Sequence, residues 1–207
     1  MGAGHQYAKV FIPYWNTVIR LGIFIVVAMT FMAFKRSIER EKQLSRTDFL
    51  TGAISARFFR EVLAAEVERS VRYDREFTIA YIDLDDFKAV NDNFGHDAGD
   101  WLLRHFVQIA KDNLRKTDLV ARLGGDEFAF LLPETSQAQA KIAIQKVRVK
   151  VMKEMRKHKW PVTLSIGVST CSGAAHGIDE ILRIADKLMY EVKNSGKDAV
   201  KFSVCRN

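Results

Sequence analysis

The apolar positions of the chain fall into two regimes. From Val10 to Phe34 they run almost unbroken: these 25 residues carry one charge, Arg20, and the fourteen from Leu21 to Phe34 carry none. A run of that length suits a ~30 Å hydrocarbon core. Past residue 46 the apolar positions become periodic. Phe59, Val62, Leu63 and Val67 form a helical stripe, as do Leu102, Leu103, Phe106 and Ile109, and then Ile142, Ile144, Val147 and Val151. Ile178, Ile181, Leu182, Ala185, Leu188, Met189 and Val192 follow the i, i+3, i+4, i+7 rule most closely. All four stripes are read as core-facing. Strands are expected at 77–84, 118–123, 127–132, 162–170 and 199–203. Helices alternating with strands around one central hairpin imply an α/β (α+β) mixed sheet with helices packed on it.

The hairpin is the most informative stretch. Residues 122–128 read Arg-Leu-Gly-Gly-Asp-Glu-Phe between two apolar runs. Adjacent glycines there fit a tight turn with positive φ, placing Asp126 and Glu127 at the start of the return strand. Paired carboxylates beside a core require partners, which points to metal and phosphate chemistry. A second acidic cluster follows the β-branched and aromatic run 77–82, which delivers Asp83 at a strand end. Asp85 and Asp86 follow at once, and for one of them capping of the next helix is the simpler role.

Length, charge and cysteine content narrow the classes. With 207 residues there is room for one domain of about 150 residues and an appendage. Of the net charge of +7, +5 lies in residues 1–46. The basic excess therefore flanks the apolar run and does not form a groove-lining patch, which argues against nucleic acid as a partner. Lys35, Arg36, Arg40, Lys42 and Arg46 follow the run, against Lys9 before it, so the residues after it are expected to face the cytosol. A buried core helix and a cleaved signal peptide are the alternatives. Cys171 and Cys205 lack metal-like spacing and are expected as free thiols; the scattered histidines indicate no zinc site.

Asp83-Leu84-Asp85-Asp86-Phe87-Lys88-Ala89-Val90-Asn91-Asp92, then Phe94-Gly95-His96-Asp97-Ala98-Gly99-Asp100, then Gly124-Gly125-Asp126-Glu127-Phe128 together resemble the GGDEF family of diguanylate cyclases. Asp48-Phe49-Leu50-Thr51-Gly52 and Ala185-Asp186-Lys187-Leu188-Met189-Tyr190 extend the resemblance from about Thr47 to Val200. It implies a palm-like, ferredoxin-type βαββαβ core. It also implies condensation of two GTP into cyclic di-GMP with release of two pyrophosphates, across a homodimer of GTP-loaded domains. Asp83, Glu127 and the Leu84 backbone carbonyl match the family's metal ligands. Asp126 matches the position that activates the attacking hydroxyl or shares metal ligation. Oxygen ligands of this kind suit Mg²⁺ or Mn²⁺, two per pair of half-sites. Asn91 and Asp100 occupy the guanine positions. His96 and the Phe87 backbone lie beside the substrate, with holding of the Gly95 turn an equal role for His96. Lys193 and Lys197 match contacts to the β- and γ-phosphates. Arg115 and Asp118 fit an Arg-x-x-Asp inhibitory product site whose further basic partner is expected near Lys146 or Arg148.

The apolar run, the polar stretch after it and the resemblance together give three segments: a membrane segment over 1–36 (span about 14–34), a helical linker over 37–46, and the catalytic domain over 47–204. A single-pass protein of the bacterial inner membrane with its domain in the cytoplasm follows. The chain departs from the family after Gly52, where Ala53-Ile54-Ser55-Ala56-Arg57 stands in place of a proline-asparagine-arginine run, so the domain's first turn and its coupling to the linker are not carried over from the resemblance. A degenerate module that binds GTP or cyclic di-GMP as a receptor is the second reading. Retention of Asp83, Asn91, Asp100, Asp126 and Glu127 favours the enzyme.

Overall fold

The computed structural model describes residues 17–36, 45–172 and 177–205. They belong to two units, Met1–Leu44 and Ser45–Asn207. In the first, helix α1 (Thr17–Arg36) has 20 residues and is apolar and long enough to cross a membrane, with none of its apolar stretch buried. At 1.5 Å per residue it extends ~30 Å. The start of the expected span, and the linker up to residue 44, lie outside the described residues.

The second unit runs β1 (Ile54–Ser55), α2 (Ala56–Tyr73), β2 (Phe77–Asp85), α3 (Phe87–Phe94), α4 (His96–Asn113), β3 (Leu119–Gly124), β4 (Glu127–Leu132), α5 (Gln137–Lys157), β5 (Thr163–Cys171), α6 (Ile178–Asn194) and β6 (Ala199–Val204). These strands form one sheet in the order β1-β3-β4-β2-β5-β6. The outer pairs β1–β3 and β5–β6 are parallel and the inner pairs antiparallel. The mixed sheet expected from the alternation is thus present. The two-residue strand β1 is too short to carry a periodic signal.

Both faces of β2 are covered, which explains its nearly continuous apolar sequence. Ala80, Ile82 and Leu84 face a cluster with Val90, Leu102, Phe106, Ile144 and Val147 from α3, α4 and α5. Phe77 and Ile79 face Phe59 and Leu63 of α2 and Ile181 and Ala185 of α6. One residue of the third stripe is corrected: Ile142 is 74% exposed. It lies on the opposite side of α5 from the buried Ala140, Ile144, Val147 and Val151, because the 3.6-residue period cannot bring 142 and 144 to one face.

The departure after Gly52 is accommodated. Gly52 turns the chain at φ +66°, Ala53 is buried, and Ile54 and Ser55 pair with Ala121 and Arg122. Ser55 then caps α2 by accepting the Phe58 N–H. Asp48 holds the turn by accepting the Thr51 N–H at 2.9 Å and the Thr51 hydroxyl at 2.6 Å. It also pairs with Arg122 at 3.2 Å. The Arg122 fork in turn donates to the Gly125 carbonyl through Nε and Nη2, at 2.9 and 2.7 Å. One guanidinium therefore ties the first turn of the domain to the glycine hairpin.

The expectation of free thiols is corrected, because Cys171 and Cys205 form a disulfide. Parallel pairing of β6 on β5 ends with Thr170 opposite Val204, and the Cys205 N–H donates to the Thr170 carbonyl at 2.8 Å. That brings the two Cα atoms to 4.8 Å, within reach of a bridge.

Helix α6 lies unusually close to the sheet at Gly167. A Cβ there would stand 2.1 Å from the Ala185 carbonyl oxygen and 2.4 Å from the Met189 nitrogen, both backbone atoms. Gly167→Ala is expected to destabilise the domain by about 3 kcal/mol, because only a shift of the whole helix relieves the overlap. Urea unfolding measures it; a loss under about 0.5 kcal/mol, the range of neutral surface changes, would mean that α6 is not seated this closely. Asp48 generates a pH prediction. Burial alone would raise its carboxyl, but the Thr51 hydroxyl and amide and Arg122 outweigh that and hold it below the ordinary 3.8. The stabilisation is complete above the unfolded value and is lost as pH falls through the lower folded value. Asp48→Asn should therefore cost about 2 kcal/mol at neutral pH, and unfolding curves of variant and parent should converge only below about pH 4.

Candidate functional site

The last residues of β2 turn polar while keeping the strand's alternation, so Asp83 points to the face of Tyr81 and Ile79, toward α6. The antiparallel neighbour β4 begins at Glu127, and the register sets Asp83 directly opposite it. Opposed residues of such a pair share a face with Cβ atoms ~5 Å apart. Two carboxylates are therefore brought together by strand pairing alone.

The hairpin differs from expectation in one detail. Gly124 pairs with Glu127, leaving Gly125 and Asp126 as a two-residue loop, with positive φ (+48°) at Gly125 only. Asp126 thus sits in the turn instead of on the return strand. Its carbonyl accepts the Leu84 N–H at 3.2 Å, tying the turn to the end of β2. Leu84 itself is buried, its side chain on the opposite face from Asp83.

Asp83 is 5% exposed at its side chain, and its Oδ2 lies 2.7 Å from Lys193 Nζ. Burial pushes its carboxyl above the ordinary value; Lys193 pulls it down without cancelling that, and Asp126 and Asp85 push it up further. Burial alone would lower Lys193, but Asp83 and its acidic neighbours hold its ammonium above the usual lysine value. Glu127 accepts a hydrogen bond from the Tyr81 hydroxyl at 3.3 Å. Burial and then the Glu127 charge push that phenol well above its ordinary range, so it stays a donor. Tyr81 was missed in the sequence, although its place two residues before Asp83 puts it on the same face.

Capping of α3 was expected for one of Asp85 and Asp86; Asp86 takes the N-cap position, but neither side chain makes a capping bond. Asp85 is buried at the end of β2, accepting from the Thr163 and Ser165 hydroxyls at 2.7 Å each and from the Asp198 N–H at 3.4 Å. Its oxygens are occupied by neutral donors, which marks it as structural. Asp86 precedes α3 in the left-handed region (φ 58°) with no capping bond, and its Oδ1 lies 2.7 Å from Lys197 Nζ.

Helices α3 and α4 carry the positions expected to meet a base. A Cβ at Gly99 would stand 2.0 Å from Asn91 Oδ1 and 3.1 Å from the Phe87 ring. The missing side chain of Gly99 is thus the space that the Asn91 amide occupies. Asp100, next on α4, is 44% exposed and 3.6 Å from Arg104. His96 is exposed at the first position of α4. Backbone bonds hold the Gly95 turn, from Gly95 N–H to Asn91 O at 2.9 Å and from Ala98 N–H to Gly95 O at 3.2 Å. The imidazole is not needed for it.

Away from these residues, the Arg115 N–H donates to Asp118 Oδ2 at 2.8 Å, and the Asp118 N–H returns to the Arg115 carbonyl at 3.0 Å. Asp118 closes this loop just before β3, which starts at Leu119, one residue after the expected 118. Its Oδ1 is buried without a partner among the described residues. Burial pushes this carboxyl up, and the Arg115 amide and charge do not cancel the effect. Both residues line a cavity of about 360 Å³ together with Gln139, Ile142 and Lys146 of α5. Of the two basic partners expected, Lys146 faces this cavity, whereas Arg148 turns away to pair with Asp198 at 2.6 Å.

No group of three or more His, Cys, Asp or Glu side chains converges as a metal cage among the described residues. The opposed pair Asp83 and Glu127 is what the fold brings together. That donor set fits Mg²⁺, which keeps several waters and takes one or two carboxylates plus phosphate oxygens.

Comparison with known proteins matches this architecture to a family. Residues 45–199 match the model of the diguanylate cyclase GGDEF domain. The chain is 34% identical over 175 residues to the response regulator PleD of Caulobacter vibrioides, covering 80% of this chain and 38% of that one. It is 32% identical over 158 residues to the diguanylate cyclase DosC of Escherichia coli K12, covering 74% and 34%. The chain thus spans little more than a third of these curated relatives. Among solved structures, the diguanylate cyclase SiaD of Pseudomonas aeruginosa, in complex with its activator SiaC, superposes with a TM-score of 0.70 at 30% identity, covering 97% of this chain and 78% of that one. A microbial GGDEF domain solved with cyclic di-GMP superposes at 0.67 and 29% identity, covering 76% and 96%. By the residues matched, the sheet order and the acidic hairpin at its centre, this chain belongs to the diguanylate cyclase GGDEF domain family.

Proposed function

We propose that the chain is a membrane-anchored diguanylate cyclase that joins two GTP molecules into cyclic di-GMP. The observation that carries this reading is the register that sets Asp83 opposite Glu127 beside the glycine hairpin. A divalent metal, when bound, would neutralise phosphate charge and favour ionisation of the attacking ribose hydroxyl. Asp83 and Glu127 would hold it, joined by the Leu84 carbonyl. Asp126, in the turn, would accept the proton of the 3′-hydroxyl or share in ligation. Lys193, Lys197 and the Phe87 amide at the start of α3 would hold the β- and γ-phosphates, while the α-phosphorus stays open to in-line attack. Asn91, fixed against Gly99, and Asp100 would read the guanine edge, and a base that leaves their polar groups unpaired is rejected. His96 is exposed on the same helix end and would meet substrate there.

Each domain holds one GTP, so reaction requires two domains facing each other. Separation of the Arg115–Asp118 cavity from the acidic pair suits an inhibitory site, where product holds domains apart without touching a reacting group. Asp118 Oδ1, without a partner among the described residues, is an acceptor fit for a guanine N1–H or amino group, and Arg115 and Lys146 supply phosphate partners. Helix α1 would anchor the protein as a single span, with Lys35 and Arg36 on the cytosolic side, where GTP is available.

The purified chain, given GTP and Mg²⁺, should make cyclic di-GMP, detected chromatographically. Glu127→Gln should lower the rate by about 100-fold or more with an unchanged unfolding curve; near-normal turnover would remove Glu127 from the site. Arg115→Ala and Asp118→Ala should raise the product level at which synthesis stalls, with initial rates within about twofold. Calorimetric binding of cyclic di-GMP that survives both substitutions would refute the inhibitory site.

A further inference from the structure

The acidic end of the sheet carries its own cations. Lys193, in the last turn of α6, reaches Asp83 at 2.7 Å, and Lys197, in the turn that follows, reaches Asp86 at 2.7 Å. Both come from one short segment whose position is fixed by the close seating of α6 on Gly167. Asp83 is almost wholly buried, while the Lys193 side chain is a third exposed. The carboxylate is therefore the fixed partner, and the lysine is the one free to swing toward water. A buried carboxylate beside other acids needs a cation, and the one that reaches Asp83 from within the chain is Lys193.

We propose that Lys193, assisted by Lys197, is a resident counter-ion that competes with the divalent metal for Asp83, so that metal enters the site efficiently only with a nucleotide triphosphate. The inference rests on the reading of Asp83 as a metal ligand. When metal and triphosphate arrive together, the ion pairs exchange: Asp83 passes from ammonium to metal, and Lys193 passes from carboxylate to phosphate. Asp83 and Lys193 each keep a partner of opposite charge. Metal arriving alone has to displace Lys193 into water with no anion to receive it, and loses affinity by that amount. By linkage, the triphosphate strengthens metal binding as much as the metal strengthens triphosphate binding. A domain built this way does not fill with metal that has no substrate attached.

The test titrates Mn²⁺ calorimetrically into the full chain in detergent, without nucleotide, and separately titrates an α,β-methylene analogue of GTP in saturating Mn²⁺. Lys193→Gln should bind Mn²⁺ alone about tenfold more tightly, the effect of one contacting charge, and bind the analogue more weakly. Lys193→Met, checked by circular dichroism, should behave alike. Lys201→Gln, which removes an equal charge that bridges Glu191 instead, should leave both affinities near wild type. Damage to the site would weaken both ligands, so the opposed changes are diagnostic. Unchanged or weaker Mn²⁺ binding in Lys193→Gln and Lys193→Met, or an equal gain in Lys201→Gln, overturns the proposal. If Asp83→Asn leaves binding of the Mn²⁺–analogue pair intact, the metal reading of Asp83 itself has failed; if Asp83→Asn abolishes it but Lys193→Gln gains no Mn²⁺ affinity, only the counter-ion role has failed.

Discussion

The register between β2 and β4 is the constraint on which the site depends. Strand pairing fixes side chains to alternate faces, so a slip by one residue would send Asp83 into the cluster beneath α4 and leave Glu127 facing an apolar neighbour. Several features hold that register. Ala80, Ile82 and Leu84 fill one core, and Phe77 and Ile79 fill the other. The two-residue loop closes on Gly125, and Arg122 grips its carbonyl while reaching Asp48. The burial that stabilises the fold is therefore also what sets two like charges side by side, an arrangement that has to be offset by cations.

Helix α6 provides that offset. Its seating against Gly167 brings Lys193 to the end of β2, and the chain beyond it doubles back through Lys197 and Asp198, both at positive φ, to start β6. The Asp198 N–H donates to Asp85, and its carboxylate pairs with Arg148 of α5. One turn thus links both helical layers to the acidic end of the sheet. Asn91 follows the same logic on the other face, where an absent side chain at Gly99 makes room for the amide.

Much of this was legible in the sequence because it is encoded locally. The apolar runs and stripes yielded five strands and the helices that bury them, and the acids at the strand end and hairpin marked the site. What was not legible depends on distant partners. Asp85 and Asp86 look alike in sequence, yet hydroxyls on β5 claim one and a lysine after α6 claims the other. Cys171 and Cys205 meet only because β6 adds in parallel to β5. Ile142 joined a stripe by composition but turns outward by helical phase. Tyr81 reads as another strand aromatic until the register sets its hydroxyl beside Glu127.

Strand register sets Asp83 and Glu127 side by side, and on the proposed reading that pair holds the metal and its nucleotide. Anomalous X-ray scattering from crystals grown with Mn²⁺ and a non-reacting GTP analogue tests it most directly. A manganese peak is expected between the two carboxylates, with the nucleotide bound beside it. A peak elsewhere, or nucleotide bound with no metal at this pair, would contradict it.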